Sequence, residues 1–215
     1  MPLETIEEKP TLPYEKQLDE ISCLPTREEK INALLKLLGE HHKDTLNHSL
    51  RVKEIVVRIA HQYPPTSSLT DEQISQLVIL HDIGKLAVNT AIIDKMGPLD
   101  ENEMAIMKQH PEWGEKILTK VGLDDASIVA LEHHERYNGS GYPKGLKGDK
   151  IDPLAQITSL VDVFDALTDP ARRYRKPLST NDALAEIEKE FASGAYNPAI
   201  KDIFEKEVRK TANPA

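Results

Sequence analysis

Leu77-Val78-Ile79-Leu80-His81-Asp82-Ile83-Gly84-Lys85 is the stretch from which the fold can be read. An apolar run that belongs in a buried helix stops abruptly in a histidine, an aspartate and a lysine. Imidazole nitrogen and carboxylate oxygen hold zinc, manganese or iron, and such donors at a helix terminus can diverge to bind one ion or bridge two. Lys85 follows His81 by one helical turn, which directs its ammonium at whatever the pair holds. A lone His-Asp pair at a helix end is more often a cap with a solvated histidine, so the rest of the chain has to decide.

Working outward, Thr70-Asp71-Glu72-Gln73 has capping-box spacing ahead of the run Ile74 to Leu80, and Thr26-Arg27-Glu28-Glu29 repeats it ahead of Ile31 to Leu38. Asp100 with Glu103 opens another helix, Pro111 suits a first helical position, and Asp152-Pro153, Thr180 and Asn197-Pro198 open three more. Strand signals are almost absent between them, so the expected class is all-α. Residues 1–38 are expected to be an N-terminal extension with one helix, Pro- and Glu-rich at its start, and residues 39–212 the main helical domain. The long irregular stretch Tyr137 to Lys150 carries glycines and lysines, and a loop of that length in a compact helical domain is usually functional or mobile.

Composition narrows the function. The chain has 215 residues, 39% hydrophobic and 29% charged, an ordinary globular balance. Its formal net charge of -9 argues against a surface that coats a nucleic-acid polymer or an anionic membrane, since both need clustered Lys and Arg. An acidic protein still takes an anionic substrate if bound metal ions reverse the local field. Cys23 is the single cysteine, so no intrachain disulfide forms. No apolar run reaches membrane-span length, and Met1-Pro2-Leu3-Glu4 lacks the pattern of a signal peptide, so the expected compartment is the cytoplasm.

Further metal-type donors follow in order. Asp44 and His48, four residues apart, share one face of a helix that continues through Val52, Ile55, Val56 and Ile59. His110 precedes Pro111 at a helix start, and His133-His134 close the amphipathic helix through Ile128 to Leu131. Each of these has a bland alternative: an exposed Asp-His contact, a turn histidine, a solvent-facing pair. Asp162 and Asp165 are harder to dismiss, because they interrupt the apolar helix Leu160 to Leu167. Burying an unpaired carboxylate costs on the order of several kcal/mol, so both need a partner or a cation.

Taken together, His48, His81-Asp82, His110, His133-His134 and Asp162 resemble the ligand order of the HD-domain metal-dependent phosphohydrolases. His133-His134-Glu135-Arg136, followed by Gly139-Ser140-Gly141-Tyr142-Pro143 and Gly145-Leu146-Lys147-Gly148, is similar to the signature of the HD-GYP subfamily, whose members hydrolyse the bacterial second messenger cyclic di-GMP. The resemblance runs over roughly residues 40 to 210 and implies an HD-domain helical bundle with additional C-terminal helices. It implies His48, His81, Asp82, His110, His133, His134 and Asp162 as metal ligands, with Asp44 supporting a third ion. It also implies that Lys85 stabilises charge on the phosphate, with Asp82 and Asp165 in the catalytic set. Gly141, Tyr142 and Pro143 would shape the substrate pocket or position the two histidines, and Arg172 and Arg175 would contact substrate phosphates. The chain departs from the family pattern in two places. One additional residue precedes Arg172, with Arg173 where proline is expected, and Val88-Asn89-Thr90 replaces a segment that usually carries proline and aspartate.

The implied cofactors are two or three divalent ions, iron or manganese, with zinc also compatible. Cations held by mixed nitrogen and oxygen donors bring a water toward its hydroxide at neutral pH, ready for in-line attack on phosphorus. Three functions fit these residues. One is hydrolysis of cyclic di-GMP to pGpG, GMP or both, and another is hydrolysis of a different nucleotide such as cyclic GMP-AMP. The third is a cyclic di-GMP receptor or adaptor that docks a diguanylate cyclase or regulatory protein without turnover.

Overall fold

The computed structural model describes residues 14–171 and 176–212. Among them every regular element is helical: Glu15–Ser22 (α1), Arg27–His41 (α2), Lys43–Ala60 (α3), Asp71–Val78 (α4), Thr90–Ile93 (α5), Glu101–Met107 (α6), His110–Lys120 (α7), Asp124–Glu132 (α8), Pro153–Thr168 (α9), Thr180–Ala192 (α10) and Lys201–Ala212 (α11). Short 3-10 turns occupy Ile83–Ala87, Gly148–Lys150 and Pro198–Ile200.

The helix starts follow from local chemistry. Thr26, Thr70 and Asp100 each close a reciprocal capping box with the Glu or Gln three residues on, satisfying backbone N–H groups that a helix leaves unpaired. Asp152 accepts from the N–H groups of Leu154 and Ala155, with Pro153 in the first turn. Two starts shift from the sequence expectation. Ser179 caps α10 by accepting from the Asp182 N–H, which makes Thr180 its first residue. Asn197-Pro198 opens the 3-10 turn, and α11 begins only at Lys201.

The lead carries two helices where one was expected. At eight residues, α1 is too short to show periodicity, yet Leu18 and Ile21 at i, i+3 spacing bury one face of it.

Two apolar cores support the molecule. One gathers Val52, Ile55, Val56 and Ile59 of α3 with Ile157, Leu160 and Val161 of α9, and extends to α10 and α11. The other joins α1 and α2 to Ile83, Leu86, Ile117, Leu118 and Ala130. Helix α4 packs into the first core through Ile74 and Val78, and Ile79 and Leu80, which follow it directly, pack into the second. His81 and Asp82 therefore follow a segment fixed on both sides. Among the described residues no helix is long and apolar enough to cross a membrane.

Gly84 brings this segment against α7. A Cβ at Gly84 would lie 1.8 Å from the His110 carbonyl oxygen and 2.5 Å from the Gly114 nitrogen, both backbone atoms that cannot swing away. The glycine of the His-Asp-Ile-Gly-Lys run thus holds His81, Asp82 and His110 close together. Gly84→Ala is expected to cost about 3 kcal/mol, the upper end of overpacking penalties, read as a lowered midpoint in urea denaturation. An unchanged midpoint would contradict this packing.

Candidate metal centre

Five helices deliver the donors to one place. His48 comes from α3, His81 and Asp82 from the turn after α4, and His110 is the first residue of α7. His133 and His134 follow α8 directly, and Asp162 and Asp165 lie on α9. Three of the imidazoles are oriented by the same local device. Nδ1 of His81 donates to the Val78 carbonyl at 3.1 Å, that of His110 to Met107 at 2.8 Å, and that of His133 to Ala130 at 2.8 Å. A carbonyl oxygen only accepts, so each Nδ1 carries the proton and each Nε2 presents a bare lone pair.

Those lone pairs converge on Asp82. Its Oδ2 lies 3.7 Å from both His48 Nε2 and His81 Nε2, while its Oδ1 lies 3.3 Å from His110 Nε2 and 3.8 Å from His133 Nε2. The carboxylate stands between two clusters of metal-type donors, His48-His81-Asp82 on one side and His110-His133-His134 on the other. Burial opposes charge on Asp82, but Lys85, with Nζ 2.6 Å from Oδ2, and the surrounding imidazoles hold its carboxyl well below the usual carboxylate range.

These donors fit divalent ions. His110 Nε2 and His133 Nε2 are 3.2 Å apart with a lone pair on each, an arrangement that repels unless positive charge lies close by. A proton does not readily supply it, because burial pushes the two imidazoles down to about 3 and about 4. His81 Nε2 is buried without a hydrogen-bond partner, a costly state for a polar atom that a cation would relieve. His48 differs. Burial again disfavours its charge, but Asp162 at 2.9 Å from Nε2 and Asp165 at 2.7 Å from Nδ1 outweigh this and raise it to about 9. The His48–Asp162 contact thus needs positive charge, from a proton or from an ion that displaces it.

A cavity of about 760 Å³ opens on these groups. His48, Lys85, His110, His134, Asp162 and Asp44 line its polar end, while Ile92, Leu99, Met104 and Met107 line an apolar wall. Asp44 sits one turn before His48 on the same face of α3. Asp165 lies behind His48, where it accepts the Nδ1 proton. Arg172 and Arg175 lie outside the described residues.

The Gly141-Tyr142-Pro143 loop packs directly on the donors. Tyr142 stacks on His134 with ring centroids 4.9 Å apart and planes 18° from parallel, and its N–H donates to the His134 carbonyl. Gly141 approaches the chain so closely that a Cβ would lie 2.3 Å from the Arg136 nitrogen. Buried Glu135 anchors the loop by accepting from the N–H groups of Lys144 and Leu146 at 2.7 and 2.9 Å.

Sequence reasoning missed two residues here. Arg51 grips Asp165 through Nε and Nη2, each at 2.8 Å, and reaches Asp169 at 2.6 Å. Spacing held a signal: Arg51 is one turn beyond His48, and Asp169 one turn beyond Asp165.

The HD domain family model matches residues 32–200. The chain is 36% identical over 165 residues to the 3'3'-cGAMP-specific phosphodiesterase 2 of Vibrio cholerae, covering 75% of this chain and 31% of that protein. It is 34% identical over 177 residues to the cyclic di-GMP phosphodiesterase response regulator RpfG of Xanthomonas campestris pv. campestris, covering 74% and 47%. The chain therefore spans about a third to a half of the length of these curated relatives. Among solved structures, an HDG"Y"P protein from Bdellovibrio bacteriovorus superposes with a TM-score of 0.63 at 16% identity, over 90% of this chain and 68% of that one, a likeness of fold.

Because Asp82 faces both clusters and His134 only one, their substitutions should differ. Asp82→Ala is expected to lose ions from both sides and His134→Ala from one, each with helicity retained by circular dichroism. Elemental analysis of the purified proteins measures this, and full metal content in Asp82→Ala would contradict it.

Proposed function

The chain belongs to the HD domain family, and from that premise we propose that it is a phosphodiesterase that hydrolyses cyclic di-GMP to pGpG, GMP or both. The observation that carries this reading is the buried Asp82 carboxylate between two sets of imidazole nitrogens, of which those of His48 and His110 belong to residues that line the cavity. His48, His81, Asp82 and Asp162 would hold one ion, and His110, His133 and His134, with the other Asp82 oxygen, a second. Divalent ions bound there supply Lewis acidity, which activates water and offsets phosphate charge. Mixed nitrogen and oxygen donors suit iron or manganese, and zinc as well. Asp44, on the cavity wall, would support a third ion.

The protein's own groups complete the chemistry. Hydrolysis forms a bond from water oxygen to phosphorus and breaks one P–O ester bond, and the departing oxygen takes up a proton. Lys85 spends one N–H on Asp82 and keeps two donors for a phosphate oxygen, where developing charge needs them. Asp165 acts through His48 by accepting its Nδ1 proton, which leaves Nε2 for an ion. The cavity volume lies within the range typical of small-molecule sites, with apolar surface for the bases at Met104, Met107 and Leu99. Arg172 and Arg175 are proposed as phosphate contacts on the strength of the sequence resemblance.

A second substrate, 3'3'-cGAMP, is favoured by the relative named for it. The discriminating experiment incubates the metal-loaded protein separately with each dinucleotide and separates products by chromatography. Release of pGpG or GMP from cyclic di-GMP supports the proposal. Turnover of cGAMP alone transfers it to the second substrate, and binding without any product favours the receptor role. Lys85→Ala should lower turnover by about 10²–10³-fold at parental ion content, the scale of losing one donor to developing charge. Parental turnover would remove Lys85 from the machinery.

A further inference from the structure

Helices α3 and α9 face each other with opposite charge. His48 and Arg51 lie one turn apart on one face of α3, and Asp162 and Asp165 share a face of α9, with Asp169 following as the residue that caps its C-terminal end. Arg51 Nε donates to Asp165 Oδ1 and Nη2 to Asp165 Oδ2, both at 2.8 Å, a two-point fork that fixes the plane of the carboxylate. The same Asp165 Oδ2 accepts from His48 Nδ1 at 2.7 Å. On its far side Arg51 Nη2 also donates to Asp169 Oδ2 at 2.6 Å, while Asp169 Oδ1 accepts from the Ala171 N–H at 2.9 Å. The chain of contacts therefore runs from the last turn of α9 through the guanidinium to the imidazole that faces the cavity.

We propose that Arg51 is a positioning residue for the ion site at His48. By locking Asp165 it sets the direction of the Nδ1–H bond, which sets where the opposite ring nitrogen points; Asp169 keeps the guanidinium in place. The bland alternative is an ion pair that ties two helices together. Arg51's side chain is 40% exposed, and pairs that open to water contribute little to stability. Its attachment to the very oxygen that holds His48 gives it leverage over orientation instead. This inference rests on His48 as an ion ligand and not on the identity of the substrate.

The test is a Mn²⁺ titration of the metal-stripped 215-residue chain, comparing the parent with Arg51→Ala and Arg51→Lys, with folding followed by circular dichroism. Arg51→Ala should keep its helicity while one class of Mn²⁺ site weakens by roughly 10- to 100-fold, the usual scale for losing a group that orients a ligand. The sites supplied by His110, His133 and His134 should keep parental affinity. Arg51→Lys retains charge without the fork and should fall in between. Parental affinity at every site in folded Arg51→Ala overturns the proposal. Should Arg51→Ala lose its helicity, Arg51→Lys decides: weakened binding at one class of site supports the role, and parental binding overturns it. Since the readout is ion binding, a parent that loads Mn²⁺ but cleaves no cyclic dinucleotide would sink the proposed function and leave this result standing.

Discussion

Asp82 presents a carboxylate at 1% exposure to four imidazole nitrogens, each 3.3–3.8 Å from one of its oxygens. For His81, His110 and His133, the ring proton is already committed to a backbone carbonyl, so these nitrogens cannot satisfy the carboxylate by donating to it. Lys85 supplies one positive charge from the edge. The remaining lone pairs make the centre a receptor for cations, and divalent ions meet that demand by direct coordination, which offsets the cost of dehydrating them, whereas burial keeps the imidazoles neutral. Most other features of the molecule serve to hold these atoms in register.

Rigidity comes from placing the donors where the backbone is already constrained. His81, His110 and His133 each sit three residues after the carbonyl they bond, at a helix end, so side-chain direction is tied to helix geometry. Gly84 allows the His81-Asp82 turn to meet α7 at backbone contact, and Tyr142 lies flat against His134. The two apolar cores meet along α4 and fix the helices that carry His48, His110, His133 and Asp162. Buried charge survives in such a setting because Asp162, Asp165 and Asp169, on α9 and at its C-terminal cap, each find a cationic or N–H partner on α3.

Much of the helical fold was legible because its signals are local. Capping boxes at Thr26, Thr70 and Asp100 and the proline at 153 mark helix starts by short-range chemistry alone. The donors brought together here stood out for a related reason: a carboxylate inside Leu160 to Leu167, or a His-Asp pair after Leu77 to Leu80, contradicts its apolar surroundings. Arg51 gave no such contradiction, since an arginine on a helix that is partly exposed is ordinary until Asp165 and Asp169, more than a hundred residues away, are seen beneath it. Glu135 was visible as part of a motif, but its grip on the Lys144 and Leu146 N–H groups depends on how the loop returns. Helix α1 escaped notice because two buried side chains in eight residues make no periodic pattern.

Where ions bind is the most direct test, and anomalous X-ray diffraction at the manganese edge from crystals loaded with Mn²⁺ locates them. One peak is expected between His48, His81 and Asp82 and another among His110, His133 and His134, with the Asp82 carboxylate reaching toward both. A map with no peak at either place, or with manganese bound only elsewhere on this acidic surface, would contradict this placement.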